Sequence, residues 1–392
     1  MRRLVVSAAC AVLVLAGTGS AAAEPDPRQA ALDAAVRAGN VGTIAVAADP
    51  AGRWRGRAGV GDVTTGAKPD TGGRFRIGSV SKTFTATLVL KLAAKGRLGL
   101  DEPISKYLPG LLPYPEPITV RQLLQHTSGL PRDLAPQYTW TTLPELDTER
   151  FVHFGEVEAI HDSTGQPLLF PPGTGWSYSN TGYNVLALLV EKLTGRRFEQ
   201  VLADWITGPL HLAETFLPRD FPLVPDPALH GYEQLYPAPH ALTDVTVYNL
   251  SRYFGAGNII SSATDLNRFF HALLGGEVLP AGLLAQMKTT VPWPGQGGVL
   301  SYGLGLMRIS LAAICGPGAP DVWGHGGDVP GYSTWSMSDE TGTRRITVES
   351  TPDVTATPAA SSARLLAMVT EFCAPALPGA QARAAQVQAA LH

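Results

Sequence analysis

Arg74-Phe75-Arg76-Ile77-Gly78-Ser79-Val80-Ser81-Lys82-Thr83-Phe84 runs from a short alternating segment into a helical pattern. Phe84, Leu88 and Leu92 recur on one face, and Gly96 stands where such a helix would stop. Ser79 therefore falls at or near the first turn. A serine and a lysine three positions apart on a helix share a face, so the Lys82 amine can reach the Ser79 hydroxyl. The free N–H groups and dipole of a helix start favour negative charge, which helps an alkoxide form once a neighbouring amine or phenolate takes the proton. Alone, Ser-x-x-Lys reads more readily as a Ser N-cap followed by a solvated lysine. Its company decides the reading: Tyr178-Ser179-Asn180 and then His325-Gly326-Gly327 follow it along the chain.

The 392 residues are 45% hydrophobic and 16% charged, with a net charge of -3. Such a composition suits one large globular domain or two coupled ones. No basic surplus points to nucleic acid, and no acidic block points to a solvating tail. Met1-Arg2-Arg3, an apolar run from Leu4 to Leu15, and Ala21-Ala22-Ala23-Glu24 match a secretory signal cleaved after Ala23. The expectation is a secreted, extracellular protein without a membrane anchor after signal removal, because no later apolar run approaches the roughly 20 residues of a spanning helix. Cys315 and Cys373 then remain, an even count in an oxidising compartment, and one disulfide is expected, with two buried thiols as the alternative. His153 and His161 have no metal-binding spacing, and neither His-Glu-x-x-His nor paired Cys-x-x-Cys occurs, so no metal and no cofactor are expected.

Along the chain, residues 27–39 read as a helix, and 41–47 and 53–60 as a hairpin of strands. Further helical patterns cover 181–194, 264–274 and 361–372. Strand patterns return at 322–325, 332–337 and 345–350. Residues 216–248, rich in proline, read as a surface excursion bordering the site. Gly255-Ala256-Gly257 reads as a packing turn, and His126 as a residue that ties down a loop or, alternatively, as a general base. Strands come from both ends and helices from the middle, so the fold class is α+β: an antiparallel sheet flanked by helices with a mainly helical second region. The expected divisions are a signal at 1–23, a sheet region at 24–95 and 295–377, a helical region at 96–294, and a tail at 378–392.

With these elements in place the chain resembles the serine beta-lactamase and penicillin-binding superfamily, specifically the group related to class C beta-lactamases and closest to secreted D-alanyl-D-alanine carboxypeptidases. The resemblance covers nearly all of the mature chain and includes Leu123 to Leu130, Pro172-Gly173 and Gly303-Leu304-Gly305-Leu306. It implies the beta-lactamase/transpeptidase fold and an acyl-enzyme on Ser79, with Lys82 and Tyr178 sharing proton transfer. It implies that Asn180 holds Lys82 and the substrate amide, and that the backbone N–H groups of Ser79 and Asp328 form the oxyanion hole. His325, Gly327, Asp328 and Arg308 become candidate substrate-binding residues, and Cys315–Cys373 matches the group's disulfide. A charge on His325 would help bind a substrate carboxylate and would fade as pH rises.

One departure bears on the substrate: the hydroxyls that bind a terminal carboxylate in the carboxypeptidases are replaced here by Gly326 and Asp328. Asp328 would repel such a group unless it points away or pairs with Arg308. Three readings follow. The first is a D-alanyl-D-alanine carboxypeptidase or related D-peptidase, acting on small or peptidoglycan-derived peptides and acylated by beta-lactams. The second is an esterase or a class C-like beta-lactamase, and the third a non-catalytic sensor of peptidoglycan fragments.

Overall fold

The computed structural model describes residues 26–132, 140–236 and 242–373, so the expected signal and tail lie outside the described residues. Helix α1 (Pro27–Arg37) is the first element of the described residues, capped by the Asp26 side chain and started by a proline whose missing N–H costs nothing there. Strands β1 (Gly42–Asp49) and β2 (Gly52–Gly59) form a hairpin around Asp49, whose carboxylate accepts the N–H groups of Ala51 and Gly52. Strand β3 (Arg74–Arg76) leads through one 3-10 turn, Gly78–Val80, into α2 (Ser81–Ala94). Then come α3 (Val120–Gln125), α4 (Leu143–Glu149), α5 (Glu156–Thr164), α6 (Asn180–Thr194) and α7 (Phe198–Leu202). A small hairpin of β4 (Tyr232–Gln234) and β5 (Leu242–Asp244) precedes β6 (Ile260–Ser262), which pairs with β3. Helices α8 (Ala263–Leu274) and α9 (Ala281–Met287) return the chain to β7 (Val291–Pro292), β8 (Leu300–Tyr302), β9 (Met307–Ser310) and α10 (Ala312–Cys315). Strands β10 (Asp321–Val329), β11 (Tyr332–Ser338) and β12 (Arg345–Thr351), and helix α11 (Pro358–Val369), close the fold.

Eight strands form one antiparallel sheet in the order β2-β1-β12-β11-β10-β9-β8-β7. The α+β sheet built from both chain ends is thus present, with β1 seated on β12. Both faces are covered. Ala45, Ala47, Trp335, Met337, Ile346 and Val348 pack with Leu32 of α1 and Leu365 of α11 in one core. Ile44 and Val46 turn the other way, into the larger core that includes Phe84, Val185 and Phe269. Between the sheet and α8, Asn267 donates to Val46 O and accepts from Thr347, so this seam is polar but paired.

Ser79 lies in the 3-10 turn just before α2, near its first turn as expected, and Ser81 to Leu90 of that helix are buried without a solvent face. Its polar residues satisfy neighbouring loops: Ser81 Oγ accepts from Ile259 N, Thr83 donates to Gly305 O, and Thr85 to Gly255 O. Two sequence expectations change. Strand β10 runs nine residues, well past the expected 322–325, because β11 pairs with its glycine end through Val329–Tyr332. The described residues of 216–248 are not wholly a surface excursion: Phe221, Leu223 and Tyr236 are exposed, but Tyr232, Leu235, Val245 and Tyr248 are buried. Their backbone carbonyls find buried donors, as where Arg76 Nη2 reaches Pro222 O and Tyr248 O. Cys315 and Cys373 form a disulfide joining α10 to the segment after α11.

Candidate active site

Gly78 has φ +48, and a Cβ there would lie 2.8 Å from Asp328 N. On the facing strand a Cβ at Gly327 would lie 2.0 Å from Ile77 O and 2.9 Å from Ser79 N. Glycine at both positions is therefore what lets the backbone of the serine turn meet the backbone of β10. The β9–β10 ladder ends at Met307–Gly324. Gly326 N still points to that side, 3.4 Å from Met307 Sδ, and strand alternation directs Asp328 N the same way, beyond the ladder and toward the serine turn. The N–H groups of Ser79 and Asp328 are thus brought to one place, where a developing oxyanion can take both.

Lys82 is fully buried. Its Nζ lies 2.9 Å from Ser79 Oγ, 2.5 Å from Asn180 Oδ1 and 3.0 Å from Ala256 O. The two carbonyl oxygens can only accept, so they orient two N–H bonds and leave the third tetrahedral position facing Ser79 Oγ. That position holds a proton in the ammonium and a lone pair in the amine, so the same geometry serves to receive the serine proton and to give it back. Ala256 sits in the turn Gly255-Ala256-Gly257, where a Cβ on Gly255 would strike Tyr183 O at 2.3 Å. The tight turn delivers the carbonyl. Lys82 Nζ also lies 4.7 Å above the Tyr178 ring, so nucleophile, amine and phenol form one cluster.

The Tyr178 loop is held from both sides. Ser179 caps α6, accepting from Gly182 N and donating to Pro131 O. Ser179 N donates to His126 Nδ1 at 3.1 Å. His126 occupies a left-handed conformation (φ 63) after α3 and is buried against the rings of Tyr178, Tyr183 and Tyr302. Burial, then the Lys82 charge, holds its imidazole well below the usual histidine range. It is a neutral clamp on the Tyr178 loop.

His325 is also buried, and burial followed by the Lys82 charge brings it down to about 3. Its Nδ1 donates to Gly326 O, so Nε2 accepts from the Tyr302 hydroxyl at 2.8 Å. The expected pH-dependent charge near a substrate carboxylate is absent, because no water reaches the ring to solvate one. Arg308 turns to Asp321, with two nitrogens on one carboxylate oxygen. The Asp328 side chain lies on the strand face opposite Gly327, where Gly326 faces Trp335; it accepts from Ser333 Oγ at 2.5 Å. Burial, then the Asp328 charge, raises the neighbouring Asp353 well above the usual carboxylate range. The structure thus gathers Ser79, Lys82, Tyr178, Asn180, His325, Gly327 and the Asp328 backbone, and leaves Arg308 and the Asp328 carboxylate engaged elsewhere.

Residues 29–365 match the Beta-lactamase family profile. The chain belongs to the beta-lactamase family. This family member is 31% identical over 273 residues to penicillin-binding protein 4* of Bacillus subtilis (strain 168), covering 67% of this chain and 57% of that protein. It is 32% identical over 234 residues to penicillin-binding protein 4 of Amycolatopsis lactamdurans, covering 56% and 55%. The chain spans a little over half the length of these curated relatives. Among solved structures, a D-stereospecific amidohydrolase from Streptomyces sp. superposes with a TM-score of 0.77 at 34% identity, covering 89% of this chain and 99% of that one. The D-amino acid amidase of Ochrobactrum anthropi SV3 complexed with D-phenylalanine gives 0.72 at 25% identity, covering 82% and 90%.

Several supporting groups carry no sequence signal. Ala256 acts through its carbonyl, which residue type cannot reveal. Tyr302 precedes the Gly303-Leu304-Gly305-Leu306 run but looks like an ordinary strand aromatic. Trp293, whose ring stacks with Tyr178 at 5.9 Å, lies among proline and glycine without periodicity.

Proposed function

We infer that this beta-lactamase family member is a serine hydrolase that cleaves amide, peptide or ester bonds at the carbonyl of a D-amino-acid residue. Ser79 attacks, its proton passes to the Lys82–Tyr178 pair, and the leaving group takes a proton as the acyl-enzyme forms. Water then repeats the sequence in reverse. The observation that carries this is the Lys82 amine, 2.9 Å from Ser79 Oγ and oriented by two carbonyl acceptors. The D-specific substrate class draws support from the amidohydrolase and amidase neighbours. Acylation by beta-lactams draws support from the names of the penicillin-binding relatives, and export from the sequence of residues 1–23.

Release of a terminal D-alanine asks more of the site, because its carboxylate needs hydroxyl donors or a cation, and Gly326 and Asp328 stand where the hydroxyls would be. Arg308 is spent on Asp321 and His325 is neutral. The amidase-type reading therefore precedes the carboxypeptidase one. Arg132, whose guanidinium lies 5.9 Å over the Tyr178 ring, is the observation that favours a carboxypeptidase.

The test is hydrolysis of D-phenylalaninamide, L-phenylalaninamide and a D-alanyl-D-alanine peptide by wild type and Ser79→Ala. Ammonia released from the D-amide alone, and lost with Ser79→Ala, is the expected result. Equal turnover of the L-amide, or faster release of D-alanine than of ammonia, would overturn the amidase reading.

A further inference from the structure

Resting on that reading, we propose that Trp176 and Trp293, together with the ring of Tyr178, form the receptor for the leaving group and select an uncharged aromatic or broad apolar one. When the bond between the acyl carbon and the leaving nitrogen or oxygen breaks, the bond from Ser79 Oγ to that carbon has formed. The proton lost by Ser79 reaches the leaving atom through Lys82 and Tyr178. The leaving group must therefore sit against Tyr178, and whatever lies beside that ring meets it.

His126 and Tyr302, two rings beside Tyr178, are buried and closed off. Trp176 and Trp293 are only half-buried, so part of each residue remains accessible. Their ring centroids are 4.4 Å apart, and Trp293 lies nearly parallel to Tyr178, at 19° and 5.9 Å. Three rings thus adjoin one another, two of them partly accessible, which suits contact with a flat apolar group. Two of the charges expected for a carboxylate are not offered: His325 is neutral and Arg308 is bound to Asp321. Two cations lie over the Tyr178 ring, Lys82 at 4.7 Å, whose ammonium is engaged by Ser79, Asn180 and Ala256, and Arg132 at 5.9 Å. Trp293 follows Pro292 of the edge strand β7, its N–H on Leu300 O, in a stretch that continues through the exposed residues Pro294 and Gly295. Its ring also packs against the core that includes Leu300 and Ile309, so a purely structural role is the competing account.

Two substrate pairs, each with one acyl group and two leaving groups, separate these accounts: D-phenylalanine p-nitroanilide against D-phenylalaninamide, and phenyl acetate against methyl acetate. In Trp293→Ala the kcat/KM ratio of aryl to small leaving group should fall about tenfold relative to wild type, mainly through KM. Trp293→Leu, which keeps apolar volume at the core contact, should lower the ratio in the same direction, and Trp293→Phe should hold it within about threefold. Equal losses on both members of a pair, or an unchanged ratio, would show that Trp293 only packs and would overturn the proposal. A D-phenylalanyl peptide ending in a free carboxylate completes the set: if it outruns the anilide in wild type and loses that lead in Arg132→Gln, the leaving-group receptor is a carboxylate site and the proposal falls. Loss of D over L preference would remove the amidohydrolase reading while leaving the leaving-group ratios readable.

Discussion

At the residue scale, the proposed chemistry depends on a close approach of two backbones that glycine permits at Gly78 and Gly327. Gly327→Ala places a methyl group 2.0 Å from Ile77 O, so β10 must move off the serine turn and carry Asp328 N–H with it. Loss of one oxyanion donor costs on the order of 3 kcal/mol in the transition state, so kcat should fall about 100-fold or more while near-ultraviolet circular dichroism keeps its native form. His325 gives a prediction in pH. Above about 6.5 the ring is neutral in both folded and unfolded chains; below it the unfolded chain takes up a proton that the native ring refuses until about 3. Stability should therefore fall by up to about 1.4 kcal/mol per unit between those values from this group, and urea titrations should show a shallower fall in His325→Gln. Substrate binding between pH 6 and 8 should show no dependence traceable to His325. Ser79, Lys82, Tyr178 and Asn180 were legible because their residue types and order carry the chemistry. The state of His325 was not, since the same letter serves a solvated cation or a buried neutral ring, and only burial decides between them.

At the scale of elements, local preference and final structure part company where function or burial intervenes. The Gly326-Gly327-Asp328 end of β10 has poor strand propensity, yet β11 holds it through its full length. The strand pattern read from the sequence stopped at residue 325, and the glycines that interrupt it are those the close approach to the serine turn requires. Residues 216–248 misled for the opposite reason. Proline and few periodic signals suggested exposure, but Glu233, fully buried, accepts the N–H groups of Gly331, Asp353, Val354 and Thr355 and the Thr355 hydroxyl. This carboxylate fastens the β4–β5 hairpin to the β10–β11 turn and to the exit of β12. Glu233→Ala would leave those donors buried and unpaired, and a loss of about 3 kcal/mol or more in urea unfolding is expected. A loss under about 1 kcal/mol would mean that the clip carries little of the local stability.

For the whole molecule, the central fact is that the first strands complete the sheet of the last ones, β1 on β12. The order of strand and helix patterns in the sequence was enough to see that, because short antiparallel connections leave few other arrangements. The disulfide closes the same assembly at its far end, tying α10 to the segment after α11 across 58 residues of sequence. Cys315→Ser with Cys373→Ser should cost about 2–5 kcal/mol in reversible unfolding, with the site geometry and kcat little changed. The claim on which the rest depends is that Ser79, seated between Lys82 and β10, carries the acyl group. Peptide mapping by mass spectrometry, after rapid quenching of the enzyme with benzylpenicillin and separately with a D-phenylalanyl ester, tests it most directly. The account predicts one acyl adduct per chain on the peptide containing Ser79, and none in Ser79→Ala. An adduct on another residue, or undiminished turnover by Ser79→Ala, would contradict it.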